Sequence, residues 1–460
     1  MLTDYVNRRP RNFTASIDVP YLMMIFLIIT CSQTFLYQLT GIDPGLSLQT
    51  FGQHSHTVQL VRLASYFMVF VLCLGTPKRM EWTLRASWPL LLLPALALAS
   101  SLWSFDPSNS ARKAAAYTIT VLAGICIAGR YPGYEGIRLI LHSYFVMLIL
   151  SLLTVMATPK FGIMQPLYYG DPGAGHWRGI FNHKNILGNI SAVFLVSSLI
   201  LGKDLIGWNS LRGFGIGVAA LCLAGSGSGS AIVCFVMMIA GYYLFLRTHR
   251  KGALVGIAAV ALSLTFVFFA GEIISSILGA LGKSSNLSGR VNLWAVIFPY
   301  IETHAFLGFG FDSGIEPLVP LLREKLNWTS VANAQNGYID VVETLGSIGL
   351  AIMVSMLVIM SHRSLQLLRS RTRTKLIYMP VLIVGFIIAV NIVEAWFDEP
   401  YNPTVILFCC AFAIVSRSKV PKRVRPRRLS APLSATHWHN RDAASFAKVR
   451  QSNSPSFKFP

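Results

Sequence analysis

The stretch YLMMIFLIITCSQTFL, residues 21–36, runs for about four helical turns without a charged residue. A second stretch of this kind, WPLLLLPALALASSL, occupies residues 88–102. Inside a lipid bilayer every backbone polar group needs an internal partner, so long apolar runs form membrane-spanning helices. The runs are continuous and do not alternate with a period of two, which disfavours an outer-membrane β-barrel. They predict an all-α polytopic membrane protein.

The composition of the whole chain agrees with this prediction. Of 460 residues, 53% are hydrophobic and 13% are charged, whereas charged residues make up about 25% of a soluble domain. A soluble enzyme and a disordered scaffold are therefore excluded. The seven cysteines all lie in apolar runs and form no CxxC pair, which argues against a disulfide framework and a zinc site.

Apolar runs of about 17–25 residues predict about twelve spans. We place them near residues 19–39, 59–76, 86–103, 113–130, 137–157, 185–203, 211–226, 228–247, 253–271, 341–361, 376–394 and 402–416. The resulting divisions are an N-terminus 1–18, spans one to nine in 19–271, a large loop 272–340, spans ten to twelve in 341–416, and a basic disordered tail 417–460. The apolar stretch 291–300 within the large loop predicts amphipathic helices at the membrane surface.

The distribution of Lys and Arg predicts the orientation. The net charge is +20, and much of it lies in short alternate loops and in the tail, as in cytoplasmic flanks that face anionic lipid. Nucleic acid is therefore not an expected partner. We expect both termini in the cytoplasm and the loop 272–340 outside, which is the periplasm if the protein lies in a bacterial inner membrane.

Two arginines, Arg178 and Arg290, lie in segments predicted to be outside, where the positive-inside rule disfavours them. A guanidinium group binds phosphate through two parallel hydrogen bonds and stays charged at any accessible pH. The pair therefore indicates a phosphorylated, lipid-borne ligand. The alternative is a surface arginine paired with an acid or with lipid headgroups.

Further polar residues occur at predicted helix ends on the same side. Asn182, His183, Lys184 and Asn185 stand at the start of the sixth span, where Asn185 could cap the helix and direct free N–H groups at an anion. Alternatively they only mark an interfacial helix start, with His183 and Lys184 solvated. The run SGSGS at 226–230 is either a tight flexible turn or a bare backbone surface for a ligand.

Acidic and amide residues cluster around the tenth and eleventh spans. The stretch ANAQNGYIDVVETLG, residues 332–346, carries Gln335, Asn336, Asp340 and Glu343, and EAWFDEP follows at 394–400. Acids near a bilayer surface act as bases, cation sites or arginine partners. No DxD, Walker, GxGxxG or HExxH pattern occurs, so the sequence does not support nucleotide or metal chemistry.

Five motifs follow one another in an order that resembles a known superfamily. They are WSFDP (103–107), RGIFNHKNILG (178–188), SGR followed by Trp (288–294), FLGFGFDSG (306–314) and AQNGYIDVVETLGSIG (334–349). Together they resemble the O-antigen ligase and bacterial polysaccharide polymerase superfamily, and within it the ExoQ-like exopolysaccharide production proteins. The resemblance covers roughly residues 20–416.

The resemblance implies an integral membrane glycosyltransferase of the C-type (GT-C-like) fold that needs no metal and no other cofactor. Such enzymes transfer a glycan from an undecaprenyl diphosphate carrier to an acceptor hydroxyl. A polymerase would join lipid-linked repeat units at the periplasmic face, alongside a chain-length regulator and export proteins. A ligase acting on another acceptor is the alternative. A flippase is less consistent with the sequence, because a transporter needs ionisable residues at mid-membrane.

The resemblance also assigns roles to residues. The essential arginines of the family correspond to Arg178 and Arg290, which would hold the diphosphate, supported by Asn182, Asn185 and Asn336. Relatives often place Arg or Lys where this chain has Gly229 in the short outer turn. A third phosphate contact would then be missing here.

The general base of the family, a histidine, is replaced by Gln335. Glutamine takes no proton at neutral pH but can orient an acceptor hydroxyl. Either another group is the base, or attack on a well-ionised donor sugar needs little base assistance. The candidate bases on the same side are Glu343, Asp340, His304 and Glu394. Our first choice is Glu343, which would share a helical face with Gln335, eight residues earlier, if the segment is helical. Alternatively, Glu343 is the ion-pair partner of Arg178 or Arg290.

Overall fold

The computed structural model describes residues 19–30, 56–74, 76–131, 133–166, 173–247, 287–326, 333–368 and 375–418. These residues are helical or in turns and contain no strand, although an isolated antiparallel bridge joins Ile163 and Trp177. The predicted N-terminus 1–18, the predicted ninth span 253–271 and residues 419–460 of the tail lie outside the described residues. The all-α prediction is confirmed for the part that the structure describes.

The helices follow the predicted apolar runs. In chain order they are α1 (Val19–Thr30), α2 (His56–Leu74), α3 (Pro77–Ala86), α4 (Leu92–Ser100), α5 (Pro107–Arg130), α6 (Glu135–Ala157), α7 (Pro159–Gly162), α8 (Lys184–Leu201), α9 (Asn209–Ser226), α10 (Gly229–Arg247), α11 (Leu287–Thr303), α12 (Val319–Leu326), α13 (Gly337–Leu368), α14 (Met379–Val393) and α15 (Pro403–Arg417). Short 3-10 turns occur at Trp88–Leu91, Gly202–Asp204, Glu316–Leu318 and Lys375–Tyr378.

Five of these described helices are long and apolar enough to cross a membrane. They are α5, α6, α8 with its 3-10 extension, α13, and α14 with the 3-10 turn before it. A sixth candidate is α3 together with Trp88–Ser100, which meet at an angle of 78°. The protein is therefore a helical multi-pass membrane protein, and the count of twelve spans stays a prediction.

The surface of the bundle is apolar where a soluble protein would be polar. Leu60, Leu63, Phe67 and Phe70 follow the spacing of one helical face of α2, and all four are exposed. By contrast, most of α8 is buried among its neighbours. Exposed apolar faces of this kind contact acyl chains, whereas a helix buried on all sides forms the core.

Helix α13 is broken at Gly346, and the segment that follows α11 fills the break. Gly346 has φ 68° and ψ −170°, a conformation that residues with a side chain rarely adopt. The backbone N–H of Phe309 donates to the carbonyl of Glu343 at 2.9 Å, and that of Ser347 donates to the carbonyl of Ala305 at 2.8 Å. These bonds replace helical ones, which a broken helix in a membrane needs.

We predict that Gly346→Ala destabilises the protein, because the new methyl carbon would lie 2.1 Å from the carbonyl oxygen of Phe306. The expected loss is about 2 kcal/mol or more, from the strained φ and the clash together. The measurement is the melting temperature and the yield of monodisperse protein after detergent extraction. The control is Gly385→Ala in α14, where nothing lies within 4 Å of the added carbon. Equal melting temperatures for the two variants would contradict the prediction.

Candidate functional site

The five sequence motifs lie at one end of the helix bundle, around the first two turns of α13. We call this region the motif end. Its residues are 100–113, 176–185, 287–294, 304–314, 333–346 and 394–402. The contacts described next connect these segments, which are far apart in the chain.

The motifs WSFDP and FLGFGFDSG bind each other directly. The indole N–H of Trp103 donates to the carbonyl of Leu307 at 3.2 Å. The hydroxyl of Ser110 donates to the carbonyl of Phe311 at 2.6 Å. The segment that enters the break of α13 is therefore also fixed to the start of α5.

Arg178 is placed by the one-turn helix α7. The residue is only 5% exposed, and its Nε donates to the carbonyl of Phe161 at 2.8 Å. The backbone N–H of Arg178 also donates to the carbonyl of Gly162, at 2.8 Å. The guanidinium group is therefore held in one orientation, as a phosphate-binding group requires.

Glu394 connects the segment of Arg178 to the start of α13. The side-chain amide of Asn185 donates to Glu394 Oε1 at 2.5 Å, and the backbone N–H of Gly337 donates to the carbonyl of Glu394 at 3.0 Å.

The prediction that Asn185 caps α8 is wrong. His183 is the cap, because its Nδ1 accepts from the backbone N–H of Asn185 at 3.2 Å. Asn182 lies two residues before α8 and is half-buried.

Asn336 holds the turn that presents Gln335. Its Oδ1 accepts from the backbone N–H groups of Tyr338 and Ile339 at 3.0 and 3.1 Å, which caps α13. Its Nδ2 donates to the carbonyl of Ile392 at 2.8 Å. Gln335 has φ 52° and precedes the helix. Gln335 therefore lies outside the helix and does not share a helical face with Glu343.

Glu343 is sealed inside the motif end. It is 1% exposed, and its Oε1 has no hydrogen-bond partner among the described residues. The backbone of Gly314 packs against this carboxyl group. Among the described residues no ion pair joins Glu343 to Arg178, and a pairing of Glu343 with Arg290 stays an alternative.

Arg290 lies in the first turn of α11, and its side chain lies outside the described part. Trp294, one turn later, donates from its indole N–H to the carbonyl of Ala334 at 2.9 Å. The helix that carries Arg290 is therefore joined to the turn before α13.

The run SGSGS does not offer a bare surface at its first glycine, Gly227, and Gly225, just before the run, is covered too. The ring of Trp177 covers Gly225, and the imidazole of His176 lies so close to Gly227 (φ 54°) that an added Cβ would be 2.2 Å from Nδ1. The protein's own rings therefore occupy the space that a ligand would need. An added Cβ at Gly229 meets nothing within 4 Å, so a side chain at this position would not clash at its first carbon.

The loop after α14 carries two carboxyl groups with altered acidity. Burial raises the pKa of Asp398 well above its usual range, and the charge of Asp340 raises it further. Burial also raises the pKa of Glu399 to about 7, although Asn402 donates to its Oε2 at 2.7 Å. Among the described residues no group of three or more His, Cys, Asp or Glu is arranged to hold a metal ion.

Two cations at the motif end were not singled out in the sequence. Arg112 and Lys113 lie at the start of α5, and Lys113 Nζ is 2.9 Å from Asp312 Oδ2. Arg112 ends the segment 104–112 between the third and fourth predicted spans, on the side that the Lys and Arg distribution places outside, so the positive-inside argument that identified Arg178 and Arg290 applies to it equally.

Since the pKa of Glu399 rises from 4.5 to about 7 on folding, the folded state keeps a proton that the unfolded state releases. The stability contributed by this group therefore decreases as the pH rises from about 4.5 to 7. Glu399→Gln should remove this part of the decrease. The measurement is the melting temperature in detergent at pH 5 and pH 7.5, with the exposed Glu302→Gln as control. The same pH dependence in Glu399→Gln and wild type would contradict the prediction.

Comparison with known proteins agrees with the motifs. Residues 214–354 match the sequence profile of a family described as O-antigen ligase. The exopolysaccharide production protein ExoQ of Rhizobium meliloti (strain 1021) is 26% identical over 353 residues, which are 72% of this chain and 77% of that protein. The resemblance read from the motifs is confirmed. The matched profile includes Arg290, Gln335 and Glu343 and begins after Arg178.

Proposed function

We propose that this membrane protein of the O-antigen ligase and polymerase type is an exopolysaccharide polymerase. It joins oligosaccharide repeat units carried on undecaprenyl diphosphate, with the motif end at the periplasmic face of the inner membrane. Glu394 carries the argument, because its carboxylate and its carbonyl join the Arg178 segment to the turn of Gln335. A donor held by its diphosphate and an acceptor held by its hydroxyl need these two segments side by side.

The reaction is a substitution at the anomeric carbon of the donor. The acceptor hydroxyl oxygen forms the new bond to this carbon while the bond from the carbon to the diphosphate oxygen breaks. The carrier diphosphate leaves with the electron pair, and Arg178 and Arg290 stabilise its charge. The hydroxyl proton passes to a base and then to solvent. No metal is required by this scheme, because the two guanidinium groups supply the positive charge.

Gln335 and Glu343 have separate roles toward the acceptor hydroxyl. The side-chain oxygen of Gln335 accepts a hydrogen bond from the acceptor hydroxyl and orients it, and Glu343 takes the proton. Since Glu343 is 1% exposed, the backbone around Gly314, which packs against its carboxyl group, must move when substrate binds, while the bonds of residues 305–310 to α13 remain. The αL backbone of Gln335 is consistent with a residue held for a specific contact.

A ligase is the second candidate, favoured by the name of the matched family. It would use the same diphosphate site and donate the glycan to an acceptor other than a second repeat unit. The two functions differ in what accumulates when the protein is absent.

The test is deletion of the gene followed by fractionation of lipid-linked glycan. A polymerase leaves single lipid-linked repeats at the periplasmic face. Full-length polymer that remains on its carrier would establish the ligase, and single repeats at the cytoplasmic face would establish a flippase.

The same deletion strain tests the arginines. Arg178→Lys and Arg290→Lys should each restore less than about a tenth of the polymer at normal expression, because lysine keeps the charge and loses the planar fork that fits a diphosphate. The matched control is Arg323→Lys in α12, on an exposed surface. Full polymer in both site variants would contradict the assignment.

We further predict that Gln335→Ala lowers the rate of polymer formation by about tenfold to a hundredfold, whereas Gln335→His is tolerated, because imidazole can also bind the hydroxyl. Glu343→Gln should be inactive at normal expression. A variant with Gln at 343 that makes normal polymer would show that Glu343 is not the base. Initial rates are measured with purified protein and lipid-linked substrate.

A further inference from the structure

Arg112 is a charged residue on the exposed surface of a membrane helix. It lies in the second turn of α5, one of the helices that can span a membrane. Its neighbour Asn109 donates from Nδ2 to the carbonyl of Asp312 at 3.3 Å, which places this turn at the motif end. Arg112 therefore lies near the end of the helix on the predicted outer side, where the positive-inside rule disfavours arginine.

The guanidinium group of Arg112 is oriented by a buried amide. Its NH2 nitrogen donates to Asn109 Oδ1 at 2.9 Å, and Asn109 is itself buried. The adjacent charge of Lys113 is paired with Asp312, and the carboxylate of Asp106 accepts from the backbone N–H of Asn109. Among the described residues Arg112 has no carboxylate partner. It is therefore a cation that Asn109 orients and that no carboxylate of the described residues neutralises.

Exposed apolar side chains lie at the same end of the bundle, two of them on the two motifs that bind each other and one immediately before WSFDP. Leu102 is 87% exposed, Phe105 is 68% exposed and Phe306 is 75% exposed. The backbone N–H of Phe105 donates to the carbonyl of Phe309 at 3.3 Å, which holds the two segments together. We call these three side chains the apolar ledge. An oriented cation at the same end of the bundle as exposed apolar groups matches a lipid that carries phosphate.

We propose that Arg112 and the apolar ledge bind the carrier of the acceptor unit, with the diphosphate on Arg112 and the polyprenyl chain on the ledge. The inference rests on the proposed polymerase function. An enzyme that joins two lipid-linked units holds two carriers at once, and Arg178 with Arg290 is assigned to the donor. Diphosphate suits a guanidinium group better than a phospholipid phosphodiester does, because it offers more charge and paired oxygens.

The experiment measures how many carriers bind. Full-length protein in nanodiscs that contain phosphatidylcholine and phosphatidylglycerol is titrated with undecaprenyl diphosphate and examined by native mass spectrometry. Wild type and the control Arg323→Gln should bind two carriers. Arg112→Gln should bind one, with the second weakened about tenfold or more. Arg112→Lys should weaken it less, because the charge remains.

The other possible outcomes separate a failure of this inference from a failure of the proposed function. If wild type binds no carrier, the proposed function itself fails. If wild type binds one carrier and Arg112→Gln binds it equally well, the second site does not exist while the proposed function stands. If Arg112→Gln keeps both carriers and loses only phosphatidylglycerol, Arg112 anchors bulk lipid and the inference is overturned.

Discussion

The hydrogen bonds between the segment 304–310 and the broken helix α13 hold the motif end together. A helix that stops inside a membrane leaves N–H and carbonyl groups without partners, and each costs several kcal/mol in lipid. Here Ala305 and Phe309 supply the missing partners. The break therefore exists only with the segment in place, and the segment also carries the contacts to WSFDP. Fold and site depend on the same few backbone bonds.

This arrangement gives one end of an apolar bundle an unusual concentration of charge. Glu394, Asp398 and Glu399 lie on one loop, Glu343 lies beneath the inserted segment, and Lys113 pairs with Asp312. Burial disfavours the ionised form of an acid, as the raised pKa of Glu399 illustrates. A region of this kind can hold and release protons near neutral pH, which transfer from a hydroxyl group requires.

Much of the fold could be predicted, because the apolar runs are long and their transfer from water into a bilayer is strongly favourable. Eleven of the twelve predicted spans overlap described helices, including the uncertain division between α9 and α10. The break at Gly346 could not be predicted, because it depends on a partner segment distant in the chain, and glycine inside a helical pattern is common. Likewise His183 was not recognised as the cap of α8, since local preference ranks asparagine above it.

The site was predicted in part for a similar reason. Charge statistics identify Arg178 because its placement is improbable, and the same statistics apply to Arg112. The link from Asn185 to Glu394 crosses more than two hundred positions, and nothing local encodes it. Whether Gln335 and Glu343 share a helix face depended on where α13 begins. The first residue of α13 is set by Asn336, which caps the helix.

The broken helix also bears on how the chain is made. Residues 304–310 leave the ribosome before Gly346 does, so the filling segment is already synthesised when α13 enters the membrane. The two halves of α13 then meet ready-made hydrogen-bond partners instead of lipid. If the order of the segments were reversed, the polar groups at the break would have no partners until the filling segment had been synthesised. The order of segments along the gene is thus part of what makes an interrupted membrane helix achievable here.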